Sequence, residues 1–424
     1  VKNIFIELIN NFAKLLINRN LLHIFILGIA SAIPLILTLS TLSIWLMELS
    51  ISKATIGLFA LTSLPYSIKF LWSPLIDGIK IPYFYKKLGV RKSWLIILQL
   101  ALSLSITMLA LSNPSKYLYI TALATLVVAF LSASQDIVID AYRIDLLSKE
   151  EQGIGATMLV YGYRIGMLVA GAGALILSNY FDFMQIYLAF ALLYLLFASY
   201  SLSLPKTFDS KDLAIKHNFA NWVQIYVFDP LVNFMHKPNY LIILIFIILF
   251  KLGDAFAGIM TNPFLLELGF SKLDLAFYVK TVGFFATIFG SLIGGIICLK
   301  YQMKHNLLFA AIIQMLTNLI FCLQAIIGDN NLMLAFTIGA ENLAGGVGTI
   351  VFVAYLSNLC NIKYSATQYA LLSSLAAVSR SWLSASSGWF AEYFSWVDFF
   401  IFSTLISLPA IIMIIYLFNI KKQN

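Results

Sequence analysis

Apolar residues run through this chain in long blocks rather than in the one-sided stripes of a soluble helix. Stretches such as TALATLVVAF at Thr121 and YLIILIFIILF at Tyr240 are apolar on every face, which marks helices surrounded by hydrocarbon. A bilayer core of ~30 Å needs about 20 helical residues. Twelve stretches qualify: 22–47, 56–76, 94–112, 117–142, 154–178, 183–204, 239–264, 274–299, 306–327, 332–359, 367–390 and 397–420. The longest polar interval, PKTFDSKDLAIKHNFANWVQIYVFDPLVNFMHKP from Pro205, separates six from six. At the front, Ile4, Phe5, Leu8, Phe12 and Leu15 recur at helical spacing opposite Lys2, Glu7, Asn11 and Lys14, with no small-residue cleavage site. That pattern predicts an interfacial lead-in rather than a cleaved leader, with a plain solvated start as the alternative. The expected organisation is a cytoplasmic amphipathic lead-in 1–21, a six-helix bundle 22–204, a cytoplasmic linker 205–238, a second six-helix bundle 239–420 and a tail 421–424.

Composition turns this pattern into a class. The chain has 424 residues, 61% hydrophobic and 11% charged, where a soluble domain is about 25% charged. It is expected to be an all-α integral membrane protein. The net charge of +8 would suggest nucleic acid in a soluble chain; here its placement along the loops matters more. With the N-terminus in the cytoplasm, about 19 Lys and Arg fall in cytoplasmic segments, against only Lys53, Lys116 and Lys272 on the other side. So uneven a count predicts that both termini are cytoplasmic and gives no reason to expect nucleic acid.

The two groups of six align with each other. WLMELSISK from Trp45 matches FLLELGFSK from Phe264, DIVIDAY from Asp136 matches TIVFVAY from Thr349, and Gln152 with Arg164 matches Gln368 with Arg380. The offsets are 219, 213 and 216 residues. Two parallel six-helix repeats joined by a long connector resemble the plan of major facilitator transporters.

Ionisable residues inside spans cost ~2.5–3.5 kcal/mol each even on lenient scales, and they usually face a cavity or a partner. Five basic residues lie in spans (Lys69, Arg164, Lys251, Lys280 and Arg380), with four acids, Asp136, Asp140, Asp254 and Glu341. At 1.5 Å per residue, Asp136 lies ~9 Å and Arg164 ~15 Å from the cytoplasmic ends of consecutive antiparallel spans, so a structural pair between them is one expectation. A substrate or proton role for Asp136 is the other. Asp140 sits near the interface with Arg143 and Asp145 and reads as part of a cytoplasmic charge cluster. Lys251 and Asp254, three apart on one face, form either a self-neutralising pair or a functional pair near the midplane. Glu341, in GAENLAGGVGT, is a proton-coupling candidate or a partner for Arg380 or Lys280. The glycines that follow it, Gly345, Gly346 and Gly348, suggest close helix packing. Two of only five arginines, Arg164 and Arg380, occupy matching mid-span positions. Their planar forks pair with carboxylate or phosphate in a way lysine cannot, which points to substrate binding or gating. Lys69 is near enough to a span end to snorkel.

The loop DGIKIPYFYKKLGVRK from Asp77 is a stretched version of a facilitator-superfamily loop. It suggests a cytoplasmic charge latch of Asp77, Arg91 and Lys92, with Asp140 and Arg143 nearby, that would break and reform as the halves rock. Three cysteines without a C-x-x-C and four histidines at span ends or in loops indicate no disulfide framework, no metal site and no catalytic histidine in a span. An enzyme is not expected.

Several stretches, KFLWSPLID (69–77), SASQDIVIDAYRIDLL (132–147), YGYRIGMLVAG (161–171), FKLGDAFA (250–257), ENLAGGVGT (341–349) and SATQYALLSSLAAVSR (365–380), resemble the AmpG-type muropeptide permeases of the major facilitator superfamily. The resemblance implies about twelve transmembrane helices in two pseudo-repeated halves and residence in a bacterial inner membrane. It also implies import of anhydromuropeptides for peptidoglycan recycling, driven by proton symport with no cofactor, by a chain acting as a monomer. Arg164, Lys251, Arg380 and Lys280 would then bind substrate or gate, and Glu341, Asp136 and Asp254 would be the proton-coupling candidates. The alternative within transporters is another anionic solute: an acyl-coenzyme A, a nucleotide or a peptide.

Overall fold

The computed structural model describes residues 18–207, 219–378 and 383–420. Of the expected segments, most of the lead-in and the tail 421–424 lie outside the described residues, as does the middle of the linker. Among the described residues ten helices are long and apolar enough to cross a bilayer. They are α1 (Arg19–Glu48), α2 (Val90–Ala110), α3 (Leu118–Leu146), α4 (Gln152–Leu177), α5 (Phe183–Ser201), α6 (Tyr240–Glu267), α7 (Leu273–Lys300), α8 (Met303–Ile327), α9 (Asn331–Leu359) and α10 (Trp396–Phe418). The chain is a multi-pass membrane protein.

The other two expected spans take a different form. The stretch expected as span two is a series of short pieces: Lys53–Leu58, Leu64–Ile68 and Ser73–Gly78, joined by 3₁₀ turns Phe59–Ser63 and Lys69–Leu71. Pro65 and Pro74 each sit in the first two positions of their own short helix. A proline has no N–H to continue a ladder but suits a first turn, so each restarts the helix. The eleventh expected span is represented by Ser365–Val378 and by Ser384–Ser386 and Ser387–Tyr393, on either side of residues 379–382, which lie outside the described set. The linker is not merely polar connection: Phe219–Val223 and Asp229–Met235 are helical, with a π-helical stretch Gln224–Phe228 between them.

Several long helices are interrupted where polar groups gather. In α6 the regular helix stops at Leu249 and restarts at Leu252, with Lys251 at the junction (φ −103°, ψ 3°). Asp254 stands in the first turn of the restarted helix, where a negative charge suits the positive end of the helix dipole. π-Helical turns interrupt α1 at Leu37–Thr41 and α4 at Val169–Gly173. Wide turns of this kind leave carbonyls available to side chains. The Tyr187 hydroxyl donates to Leu37 O (2.6 Å) and the Thr41 hydroxyl to Ala170 O (2.7 Å).

Contacts sort the chain into two compact units. The first comprises Val1–Ser148, Met158–Pro230 and Cys360–Ala370, and the second Lys149–Thr157, Leu231–Leu359 and Leu371–Asn424. Each unit thus takes in a short segment from the other half of the sequence, and the two segments hold the repeat-related Gln152 and Gln368. In the first unit Trp45 stacks on Phe183 (5.9 Å between ring centres) within a mixed aliphatic and aromatic core drawn mainly from α1 to α5. In the second, Phe256, Phe264, Phe321, Phe399 and Phe400 form an aromatic core, with Phe321 stacked on Phe400 at 4.8 Å. Helices α7 and α9 meet backbone to backbone. A Cβ on Gly290 would lie 2.1 Å from Leu343 O, and one on Gly346 2.6 Å from Thr287 O, so only glycine fits there. Gly348 instead faces the side-chain amide of Gln314 on α8, whereas Gly345 has open space around it.

Candidate functional site

In the first unit, a buried charge network forms where the segment Phe84–Leu88 ends. Gly89, at φ +82°, turns the chain in the left-handed region that suits glycine and starts α2, which places Arg91 in its first turn. The Arg91 guanidinium donates to Asp77 Oδ1 (2.7 Å) from Nη2 and to Asp145 Oδ2 (2.9 Å) from Nε. All three side chains are almost fully buried, at 7%, 1% and 1% exposure. One arginine cannot neutralise two carboxylates. The balance comes from the start of the helix Ser365–Val378. Thr367 donates to Asp77 Oδ2 through its N–H (2.8 Å) and its hydroxyl (2.7 Å), and the Ser365 hydroxyl donates to Asp145 Oδ1 (2.6 Å). The amino end of that helix adds a partial positive charge.

This arrangement corrects the expected latch in part. Asp77 and Arg91 come together, while Asp140 and Lys92 have other partners. Asp140 lies 3.8 Å from both Lys69 and Arg143, and the Arg143 guanidinium sits 5.4 Å over the ring of Tyr369. Lys92 donates instead to Leu202 O (3.1 Å). Asp145, Ser365 and Thr367 complete the network and were not singled out for it. Asp145 follows Arg143 by two residues, and S-x-T at the start of an apolar run is a capping pattern, so a signal for all three was present.

A second polar group surrounds Asp136 on α3. Its carboxylate accepts a hydrogen bond from Ser31 on α1 (2.5 Å), and Lys69 is the cation that acts on it most. The expected Asp136–Arg164 pair therefore gives way to a serine on the first helix. Beside it, Gln135 donates to Ala30 O (3.1 Å), which also accepts from the Tyr194 hydroxyl. Lys69, expected to snorkel, begins the 3₁₀ turn Lys69–Leu71 and lies 3.8 Å from Asp140. Arg164 lies partly buried on α4.

The third group, in the second unit, is built at the break in α6. Lys251 Nζ donates to Asp254 (3.1 Å), to Gln314 on α8 (2.9 Å) and to Gly345 O on α9 (3.4 Å). Asp254 and Lys251 are both close enough to Glu341 to act on its charge. Glu341 accepts from Asn342 (2.6 Å), whose carbonyl accepts from Thr287 on α7 (3.1 Å). Four helices thus converge on one cation and two carboxylates, a grouping that brings three of the expected site residues together. Arg380 and the Lys280 side chain lie outside the described residues. Among the described residues no cluster of His, Cys, Asp or Glu fits a metal ion.

The chain is 38% identical over 414 residues to a protein named AmpG 4 from Rickettsia felis, covering 97% of this chain and 99% of that one. It is also 38% identical to the anhydromuropeptide permease of Escherichia coli, over 92% of this chain and 78% of that protein. It belongs to the AmpG family. A family model described as acetyl-coenzyme A transporter 1 matches residues 20–204 of this AmpG-family chain. Among solved structures, the major facilitator transporter FucP in its outward conformation matches with a TM-score of 0.66 at 13% identity, covering 94% of this chain and 98% of that one. The proton:xylose symporter XylE matches with a TM-score of 0.61 at 12% identity over 93% of each chain. At such identity these likenesses speak for the fold alone, which is that of the major facilitator superfamily. The AmpG-family chain is a membrane transporter, not an enzyme.

Proposed function

We propose that this transporter imports anhydromuropeptides across a bacterial inner membrane by proton symport, with both termini in the cytoplasm, acting as a monomer. The observation that carries the reading is the 38% identity to a protein named anhydromuropeptide permease, sustained over 92% of the chain. The chemistry is compatible. A muropeptide offers carboxylates, amides and hydroxyls, and charge-assisted hydrogen bonds are the strong ones for such a ligand. Lys251, with Arg164, Arg380 and Lys280 as further candidates, would meet its carboxylates. Glu341, Asp254 and Asp136 would carry the proton whose movement drives the switch between conformations. The network of Asp77, Arg91 and Asp145 would latch one conformation by holding the amino end of the helix Ser365–Val378. No cofactor is required; the proton gradient supplies the energy.

Proteoliposomes loaded at neutral pH and diluted into acidic buffer with labelled anhydromuropeptide test this directly. Accumulation above protein-free vesicles, abolished by a protonophore, is the expected result; its absence would overturn the reading. The match of 20–204 to the acetyl-coenzyme A transporter description favours one second reading, import of an acyl-coenzyme A. Labelled acetyl-coenzyme A in the same vesicles separates the two.

A further inference from the structure

Lys92 is 6% exposed, yet among the described residues its ammonium donates to a backbone carbonyl, Leu202 O. An ammonium has three donors and a full charge, and a charge this far from water is ordinarily paired. Instead its surroundings are positive. Lys206 acts on Lys92, and Arg19 and Lys92 both act on His23, whose Nδ1 lies 2.6 Å from the Tyr200 hydroxyl. Among the described residues no carboxylate forms an ion pair with Arg19, Lys92 or Lys206. Four basic groups from three helix ends therefore share one spot without an ion-paired carboxylate among the described residues.

We propose that Arg19, His23, Lys92 and Lys206 bind the phosphate of an anionic phospholipid. The site lies in the first unit at the level where α1 and α2 begin and α5 ends, the depth of lipid headgroups. Arg19 and Lys206 are exposed and able to fold over a phosphate, while Lys92 is buried. Next to these cations Leu22 is 40% and Leu202 56% exposed, an apolar border that a lipid's acyl chains cover and a free phosphate does not. Clustered cations between transmembrane helices at one membrane face are suited to such headgroups.

Native mass spectrometry of the full chain, delipidated in an uncharged detergent, tests the site. Phosphatidylglycerol or cardiolipin is expected to be retained in preference to phosphatidylethanolamine. The Arg19→Gln/Lys206→Gln variant, altered only at exposed side chains, is expected to bind phosphatidylglycerol roughly 30-fold more weakly, about fivefold per removed charge. Equal retention of the two phospholipids, or unchanged binding by the variant, would overturn the site. Millimolar inorganic phosphate that binds in place of the phosphatidylglycerol would make it a site for soluble phosphate and overturn the lipid assignment.

Discussion

Lys251 offers one positive charge to two carboxylates, Asp254 at 3.1 Å and Glu341 nearby. Counted over the described residues, the group carries either a net negative charge or a proton, and a transporter can alternate between the two. Glu341 is the better carrier, because Lys251 is already bonded to Asp254 while, among the described residues, Glu341 is hydrogen-bonded by the neutral amide of Asn342. In the Glu341→Gln variant, gradient-driven accumulation should fall toward the equilibrium value, while exchange of labelled for unlabelled solute persists. One pH unit is worth about 1.4 kcal/mol, a roughly tenfold accumulation for one proton per solute, so the loss is measurable in proteoliposomes. Accumulation equal to wild type would remove Glu341 from the proton path. The neighbourhood of Glu341 was less legible than its burial. Rise per residue gives the depth of a side chain, but its direction around the helix turns by about 100° per residue, and depth alone had paired Asp136 with Arg164. Ser31 on α1 hydrogen-bonds the Asp136 carboxylate instead.

At the scale of elements, breaks in the helices place the chemistry. Span length and the two-fold repeat could be read from the run of apolar residues. The restart of α6 at Leu252 could not, because nothing in YLIILIFIILFKLGDAF punctuates the helix with proline. The short helices around Pro65 and Pro74 could have been read, since both prolines stand inside a predicted span. The helix Ser365–Val378 shows how an element can be held by residues remote in sequence. Its first turn gives two donors to Asp77 and one to Asp145, which the chain brings near through the bend at Gly89. Asp77→Ala should therefore destabilise the protein in detergent by about 3–5 kcal/mol, since it leaves part of a buried charge network unpaired. Thr367→Val removes one hydroxyl donor to a charged acceptor and keeps the backbone N–H, so about 1–2 kcal/mol is expected. Thermal unfolding of both variants checks the order; Thr367→Val costing as much as Asp77→Ala would mean that the cap, not the ion pairs, holds the site.

On the scale of the whole molecule, the exchange of short segments between the two contact units has a consequence for folding. The first unit includes Cys360–Ala370, and the second includes Lys149–Thr157, segments that come from matching places in the repeat. A sequence cut in the linker, between residues 207 and 219, would give two fragments that each hold six expected spans. Neither fragment would hold a complete unit. The first would keep Asp77, Arg91 and Asp145 but lose the Ser365 and Thr367 donors, leaving two buried carboxylates with a single arginine. Such groups are costly to leave unsatisfied, at about 1–3 kcal/mol for each lost partner. Expressed alone, the fragment 1–207 should accordingly be rapidly degraded or unfold at markedly lower temperature. Co-expressed with 219–424, it should be recovered as a stable complex, and Ser365→Ala with Thr367→Val in the second fragment should weaken that recovery. If the first fragment alone proved as resistant to heat and protease as the co-expressed pair, the six-helix half would be a self-sufficient folding unit, and the exchanged segment would not be needed for its stability.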